Sequence, residues 1–329
     1  MILKKYFFVL YCLISFLFLS TGCTTSNDNP EDPASDHQYE VKLSFLYEGS
    51  WGLNGIEKGN DELSSYLEDY LKNGVARHLI RVYNANDVSS GSLPVAAYEL
   101  ERSLEEAPYD FSISVSLPKG DYVVKSFTDF REASYAPHYY DVTGFPHVML
   151  ANHSGLTGYQ DTFSGTQTFK VDGDFTTSEV AMTRPLGRYM LICEDYANLL
   201  DEKGYKEEEV KVLVYYTGFY PDTYSVITDR LTDSLTGEKY VISPEILSNG
   251  RAIVAADFFL MNDGGSSAGV EIKMVNKNGE LLATSESISI PLRRNEITVI
   301  SGKLLKSPSG DGGGFDMDTG FDGDFNINP

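Results

Sequence analysis

Three groups of residues have types and spacings that bear on chemistry. The first is histidine: His147 and His153 stand close together, with His138 just upstream in the same stretch. A zinc site needs Cys and His pairs at short spacing or an HExxH helix, and neither is present. The second group is the aspartates near the C-terminus, Asp316, Asp318, Asp322 and Asp324. Their oxygens suit calcium, but the order lacks the EF-hand pattern and its closing Glu. The third is cysteine: Cys193 sits in the apolar run RYMLIC and reads as a small buried core residue rather than a nucleophile. There is no GxSxG elbow, no GxxxxGK loop and no GxGxxG after a strand. Carboxylates are abundant, yet a glycosidase pair needs a defined separation that abundance does not supply. These residues read as a non-enzyme with no catalytic residues, no metal and no cofactor.

The other cysteine with a chemical role is Cys23. Lys4 and Lys5 open the chain, Tyr6 to Leu19 is almost wholly apolar, and Ser20-Thr21-Gly22 precede Cys23. A charged start, a short apolar core and small residues mark residues 1–22 as a signal peptide. The apolar run is shorter than the about 20 residues of a membrane span. Small residues directly before a Cys resemble the bacterial lipobox, in which the thiol is acylated. One position differs: Ser20 stands where the lipobox usually has an aliphatic residue, with Leu19 one step further out. The expectation is a palmitate-type lipid on Cys23, each buried methylene contributing about 0.8 kcal/mol to membrane anchoring.

After Cys23 the segment TTSNDNPEDPASDHQ is polar, acidic and proline-containing, so residues 23–38 read as a disordered tether. Acidic residues at this point resemble the surface-export signal of Bacteroidetes lipoproteins. The expected location is the outer membrane, lipid-anchored and surface-exposed. Formal net charge is −22, and residues 1–22 carry two lysines and no acids, so the mature chain is at −24 (−22 minus 2). That excludes nucleic acid as a partner, because phosphate binding needs clustered Lys and Arg. With Cys12 removed and Cys23 acylated, Cys193 is left alone and no intramolecular disulfide can form.

The elements around these residues are strands. Period-two alternation runs through Tyr39 to Phe45, Phe111 to Leu117 and Ser287 to Ile290. Denser apolar runs, Val210 to Tyr216 and Ala252 to Leu260, suit strands buried on both faces. Pro118-Lys119-Gly120-Asp121 and Asn278-Gly279 mark turns. One helix is expected in the first half, capped by Asp61, with Leu63, Tyr66, Leu67, Tyr70 and Leu71 on one face and Gly74 behind it. A second helical turn is expected near Asp195 to Leu200. The stretch from Tyr135 to Phe169, rich in glycine and aromatic residues, reads either as a functional loop or as short strands.

The fold class is therefore all-β, two Greek-key β-sandwiches in tandem: residues 39–177 and 178–305. Residues 306–329 form a Gly/Asp-rich tail. Within it Phe321, Gly323, Phe325 and Ile327 alternate with Asp322, Asp324, Asn326 and Asn328, the pattern of a strand with one buried face. The four former residues are the candidate donor strand, able to add to a sheet edge of this chain or a neighbour. The alternative is a disordered acidic tail.

Several motifs fall in a specific order: Leu117-Pro118-Lys119-Gly120-Asp121-Tyr122, then Met182-Thr183-Arg184-Pro185-Leu186-Gly187-Arg188, then Gly218-Phe219-Tyr220-Pro221. Ile290-Pro291-Leu292-Arg293-Arg294-Asn295 and the ending FDGDFNI complete the series. Together they resemble the fimbrillin superfamily of Bacteroidales type V pili, from about Glu40 to the C-terminus. The resemblance implies two transthyretin-like sandwiches and a structural or adhesive role in fimbria assembly or anchoring. It implies other fimbrial subunits or surface proteins as partners. In stalk subunits of that family a protease cuts after an Arg behind the first strand. Here the loop Glu48 to Asn60 holds Lys58 but no Arg, and the next Arg is Arg77. That pattern suits an anchor or accessory member at least as well as a stalk subunit. The competing reading is a surface lipoprotein that binds a glycan or host protein and does not polymerise. Asp233-Ser234-Leu235 also matches a short Bacteroidetes O-glycosylation pattern.

Overall fold

A computed structural model describes residues 37–48, 74–104, 110–133, 137–151 and 158–307. The first strands in chain order are β1 (Tyr39–Tyr47), β2 (Gly74–Asn84), β3 (Ala96–Ser103), β4 (Phe111–Leu117) and β5 (Gly120–Glu132). They are followed by β6 (Tyr140–Asp141), β7 (His147–Leu150), β8 (Thr162–Val171) and β9 (Phe175–Thr183). Seven of these form one sheet in the order β3-β2-β5-β8-β9-β1-β4. The sheet coils over on itself, so that Phe111 of β4 stacks on Phe45 at 4.8 Å and lies 4.3 Å from the His78 ring on β2.

The N-terminal strand is an interior one. It runs antiparallel to β4, from Tyr39 opposite Leu117 to Phe45 opposite Phe111, and parallel to β9 on its other side. Its alternation explains its seat: Val41, Leu43 and Phe45 are fully buried while Glu40 and Lys42 face solvent. Three such side chains contribute on the order of 6 kcal/mol of apolar burial.

The remaining elements are β10 (Leu186–Cys193), α1 (Tyr196–Lys203), β11 (Val210–Tyr216), β12 (Phe219–Ser225), β13 (Arg230–Thr236), β14 (Lys239–Ile242) and β15 (Glu245–Ile246). Then come β16 (Ala252–Leu260), β17 (Ser266–Asn276), β18 (Leu281–Thr284), β19 (Ile288–Leu292) and β20 (Ile297–Gly302). One sheet has the order β15-β16-β10-β20, and a second runs β14-β11-β17-β18 with β19 also on β17. Strands β10 and β16 are buried along their whole length. Alternation serves both sides of β10: Tyr189, Leu191 and Cys193 join Val212, Val214 and Ile272 in one core. Met190 and Ile192 join Leu79, Phe127, Tyr140 and Tyr224 in another. The fold is all-β and sandwich-like, as expected.

The last sheet, β13-β12-β7-β6, takes strands from both halves of the chain: Thr223, Tyr224 and Ser225 pair with Met149, Val148 and His147. The stretch from Tyr135 to Phe169 thus contains β6, β7, a 3-10 turn at Gly158–Gln160 and most of β8. Thr177 lies inside β9, and the chain leaves the seven-stranded sheet only after Thr183, at Arg184-Pro185. The helix expected over residues 61–71 falls outside the described residues. The second expected turn is α1, which ends at Gly204 with φ +69°, the left-handed conformation glycine adopts without strain. Among the described residues no helix is long and apolar enough to cross a membrane.

Candidate functional site

Cys23, His153 and the tail residues Phe321, Gly323, Phe325 and Ile327 lie outside the described residues. What can be built from the residues upward is the seat of β1, the polar junctions that surround it, and the sheet surfaces beyond.

At the exit of β1, the Tyr47 hydroxyl lies 2.7 Å from Thr128 Oγ1 and 3.0 Å from His78 Nδ1. The Tyr47 amide donates to Asp110 Oδ1 at 2.9 Å. Burial, helped by the nearby Arg102 charge, pushes the His78 imidazole down to about 3, so it is neutral near pH 7. Burial pushes the Tyr47 phenol up. This is a packed, hydrogen-bonded clamp rather than an acid–base pair.

Beside it Arg77, inside β2, holds buried Asp129 with two bonds of 2.9 and 2.6 Å and also donates to the Tyr140 carbonyl at 2.9 Å. His138 bridges outward, 3.3 Å from Asp129 and 3.1 Å from Glu101. Arg131 completes the set at 3.1 Å from Glu101, and its hydrogen bond, then that of His138, holds the Glu101 carboxyl below the usual range. The spacing of His138 and Arg77 in sequence carried no sign of this cluster, because sheet pairing alone brings them together.

The motif arginines interlock the two ends of the chain. Arg184 Nε lies 3.0 Å from both oxygens of buried Asp161, and Nη1 reaches the Glu48 carbonyl and Asn295 Oδ1, each at 3.1 Å. Burial pushes the Asp161 carboxyl up, and the Arg184 charge opposes that. Asn295 takes φ +57° and its amide donates to the Leu186 carbonyl at 2.6 Å. Gly187 has no room for a side chain: a Cβ there would meet the Arg293 carbonyl oxygen at 2.7 Å. Arg188 lies 4.7 Å over the Phe258 ring, and Arg294 grips Asp229 at 2.9 and 3.0 Å. In the earlier motif, the Tyr122 hydroxyl donates to the Pro118 carbonyl at 3.0 Å, which closes the β4–β5 turn. The motif residues are strand-end fasteners.

In the second half, four buried tyrosines surround Asp257. Tyr216 and Tyr220 both donate to its Oδ2, and the Tyr189 hydroxyl links Tyr216 at 2.9 Å to Tyr240 at 3.0 Å. Tyr240 donates on to the Ala256 carbonyl at 3.1 Å. Burial raises all four phenols well above their ordinary range. Cys193 is buried, with its thiol pushed up to about 12 by burial and the neighbouring Asp195. Such a thiol is a poor nucleophile. Among the described residues no group of three or more His, Cys, Asp or Glu is placed to hold a metal ion.

The described rings between Tyr139 and Tyr159 turn inward. Tyr140 is buried and donates to the Gln160 carbonyl at 2.8 Å, while Tyr139, Phe145 and Tyr159 pack against the cores. Exposed rings lie elsewhere: Phe219 on the β12–β13 hairpin is 75% exposed and Phe175 at the start of β9 is 60% exposed, and Ser234 is open to solvent.

A family model described as a family of unknown function, DUF6562, matches residues 37–328. No curated protein matches the chain. Among solved structures, the chain is similar to one named "putative polysaccharide binding proteins (DUF1812)" from Bacteroides thetaiotaomicron, at 13% identity and TM-score 0.43, covering 74% of this chain and 78% of that one. A second, named "putative adhesin" from the same species, has 15% identity and TM-score 0.42, covering 84% and 97%. A third, the fimbrial anchor protein Mfa2 from Porphyromonas gingivalis, has 9% identity and TM-score 0.38, covering 75% and 82%. All three scores lie below 0.5, so the likeness carries no argument about function.

Proposed function

The chain belongs to DUF6562, a family of unknown function, and on that premise we propose that it is a lipid-anchored, non-enzymatic protein of the bacterial outer surface, associated with fimbria assembly or anchoring. The observation that carries the reading is the seat of β1. The first strand of the folded chain fills an interior slot of the seven-stranded sheet, parallel to β9, with Val41, Leu43 and Phe45 fully buried. The order of motifs that resembles fimbrillins supports the same reading.

An anchoring or accessory role is favoured over a stalk role. The first arginine after β1, Arg77, lies within β2 and is tied to buried Asp129. A protease needs an accessible segment it can draw into its cleft, and a strand paired on both sides is not one. Partners would be other fimbrial subunits or surface proteins, with the membrane reached through the lipid on Cys23. The glycan-binding alternative loses its main support, because the described rings of the aromatic stretch pack inward.

Two measurements test this. Radiolabelled palmitate should enter the chain and vanish in Cys23→Ser; label that persists would put the lipid elsewhere. Mature protein mixed with a copy lacking residues 306–329 should show, for the intact form alone, ladders resistant to mild SDS. Identical monomers in both samples would remove the tail as a donor strand.

A further inference from the structure

The sheet β14-β11-β17-β18 has one face in the core and one turned outward. Alternation along β11 sends Val212, Val214 and Tyr216 inward and Lys211, Leu213 and Tyr215 outward. The register sets Leu213 between Val241 on β14 and Lys273 on β17, and Tyr215 between Lys239 and Glu271. Val241 is 59% exposed and Leu281, opposite Val275, is 43% exposed. Lys273 Nζ lies 4.7 Å over the Tyr215 ring, and Lys211 Nζ donates to Ser243 Oγ. This face therefore joins three lysines and one glutamate to an apolar stripe, in a chain of net charge −22. A local reversal of sign around exposed apolar side chains fits an acidic, partly apolar occupant.

The chain itself supplies one at the rim of that face. Lys306 pairs with Thr284 of β18 through two backbone bonds of 2.8 and 2.9 Å, and Thr284 is in register with Lys273. Residues 308–329 start one residue beyond Ser307. They hold Asp311, Asp316, Asp318, Asp322 and Asp324, no Lys or Arg, and Phe315, Met317, Phe321, Phe325 and Ile327. An extended segment of this length reaches roughly 70 Å, far more than the about 15 Å across four paired strands.

We infer that residues 308–329 dock on this outward face of their own chain, their apolar side chains on the Leu213–Val241 stripe and their aspartates against Lys211, Lys239 and Lys273. The docking uses a sheet face of the same molecule and stands apart from donation of the tail to a neighbour. It leaves the tail covered until a competing partner draws it off.

The test is the rate of acetylation of single lysines, read by mass spectrometry on the intact mature chain. Lys211, Lys239 and Lys273 should react about threefold or more slower than in a chain ending at Ser307, and high salt should erase the difference. Lys42 and Lys170, exposed on the seven-stranded sheet, should react alike in both. A full-length chain with Asp316, Asp318, Asp322 and Asp324 changed to Asn keeps the tail's length and should lose the protection. A synthetic peptide of residues 308–329 should restore it to the truncated chain. Equal rates at the three lysines in intact and truncated chains would overturn the inference. Protection that grows with protein concentration would also overturn it, because the tail would then be covering a second copy.

Discussion

The seven-stranded sheet and the second-half sandwich both bury polar groups, but by different chemistry. In the first, Asp129 and Asp161 are each held by an arginine fork, and neutral His78 is wedged between Tyr47, Thr128 and Phe111. In the second, four tyrosine hydroxyls converge on and around Asp257. Arginine forks fasten strands from distant parts of the sequence, since a long side chain with five donors reaches several carbonyls at once. Tyrosine hydroxyls fill a core whose rings already pack, with Tyr216 and Tyr220 4.8 Å apart and both against Phe259. The first arrangement sets arginine charge against buried carboxylates; the second surrounds one carboxylate with neutral hydroxyls whose own titration burial moves upward.

The largest expected effect comes from breaking a fork. Arg184→Leu leaves Asp161 buried without its guanidinium and also removes the bonds to the Glu48 carbonyl and Asn295. Urea denaturation should show a loss of about 3–5 kcal/mol. A loss within experimental error would mean that the junction is not a fastener and that the two regions do not differ in this respect.

Acid should separate the regions next. His78 titrates near 6.5 when unfolded and at about 3 in the folded chain. Its stabilising contribution is present above 6.5. It is lost as pH falls from there toward 3, because the unfolded state binds the proton first. Full expression of that shift is on the order of 5 kcal/mol. The hydrogen-exchange protection of β1 and β2, taken relative to the intrinsic rate at each pH, should therefore fall between pH 7 and pH 4.5 more than that of β11 and β16. His78→Phe should flatten the difference. An equal loss of protection in both regions would dissolve the contrast.

A smaller effect is expected in the tyrosine core. Tyr216→Phe removes the donor to Asp257 with little change of shape, so the loss should be about 1–3 kcal/mol. That loss should stay constant between pH 5 and 8, where no tyrosine titrates. A strong pH dependence in that window would remove the contrast between the two regions. Smaller still, at about 1–2 kcal/mol, is Gly187→Ala, which presses a methyl group on the Arg293 backbone. Thermal unfolding would register it, and an unchanged midpoint would mean that β10 can move aside.

The strands that were legible in sequence were those with a local signature. Residues 111–117, 210–216 and 252–260 emerge as β4, β11 and β16 with the expected bounds. Density of apolar residues correctly marks β16 as buried on both faces, but β11 buries only one, with Lys211, Leu213 and Tyr215 turned outward. The Asn278-Gly279 turn is equally local, with Gly279 at φ +81°. The interior of the Tyr135 to Phe169 stretch was not legible. Strand β7 is only His147–Leu150, and its partner β12 lies far along the chain, so no short window contains the pair. The same holds for the candidate site: Val41, Leu43 and Phe45 announce a buried face, but not that β1 would lie between β9 and β4.

The sequence by itself determined the all-β class, the strands with strong periodicity, the turn chemistry and the excess of negative charge. All of these depend on residue type and near neighbours. The tertiary structure alone decided which strands meet, where the chain passes from one sheet to the next, and that Arg77, Asp129 and His138 form one cluster. It also decided that the lysines of β11, β14 and β17 share one face. Those facts depend on pairing between residues far apart in the chain, where the free energy comes from burying many side chains at once and no local signal records the outcome.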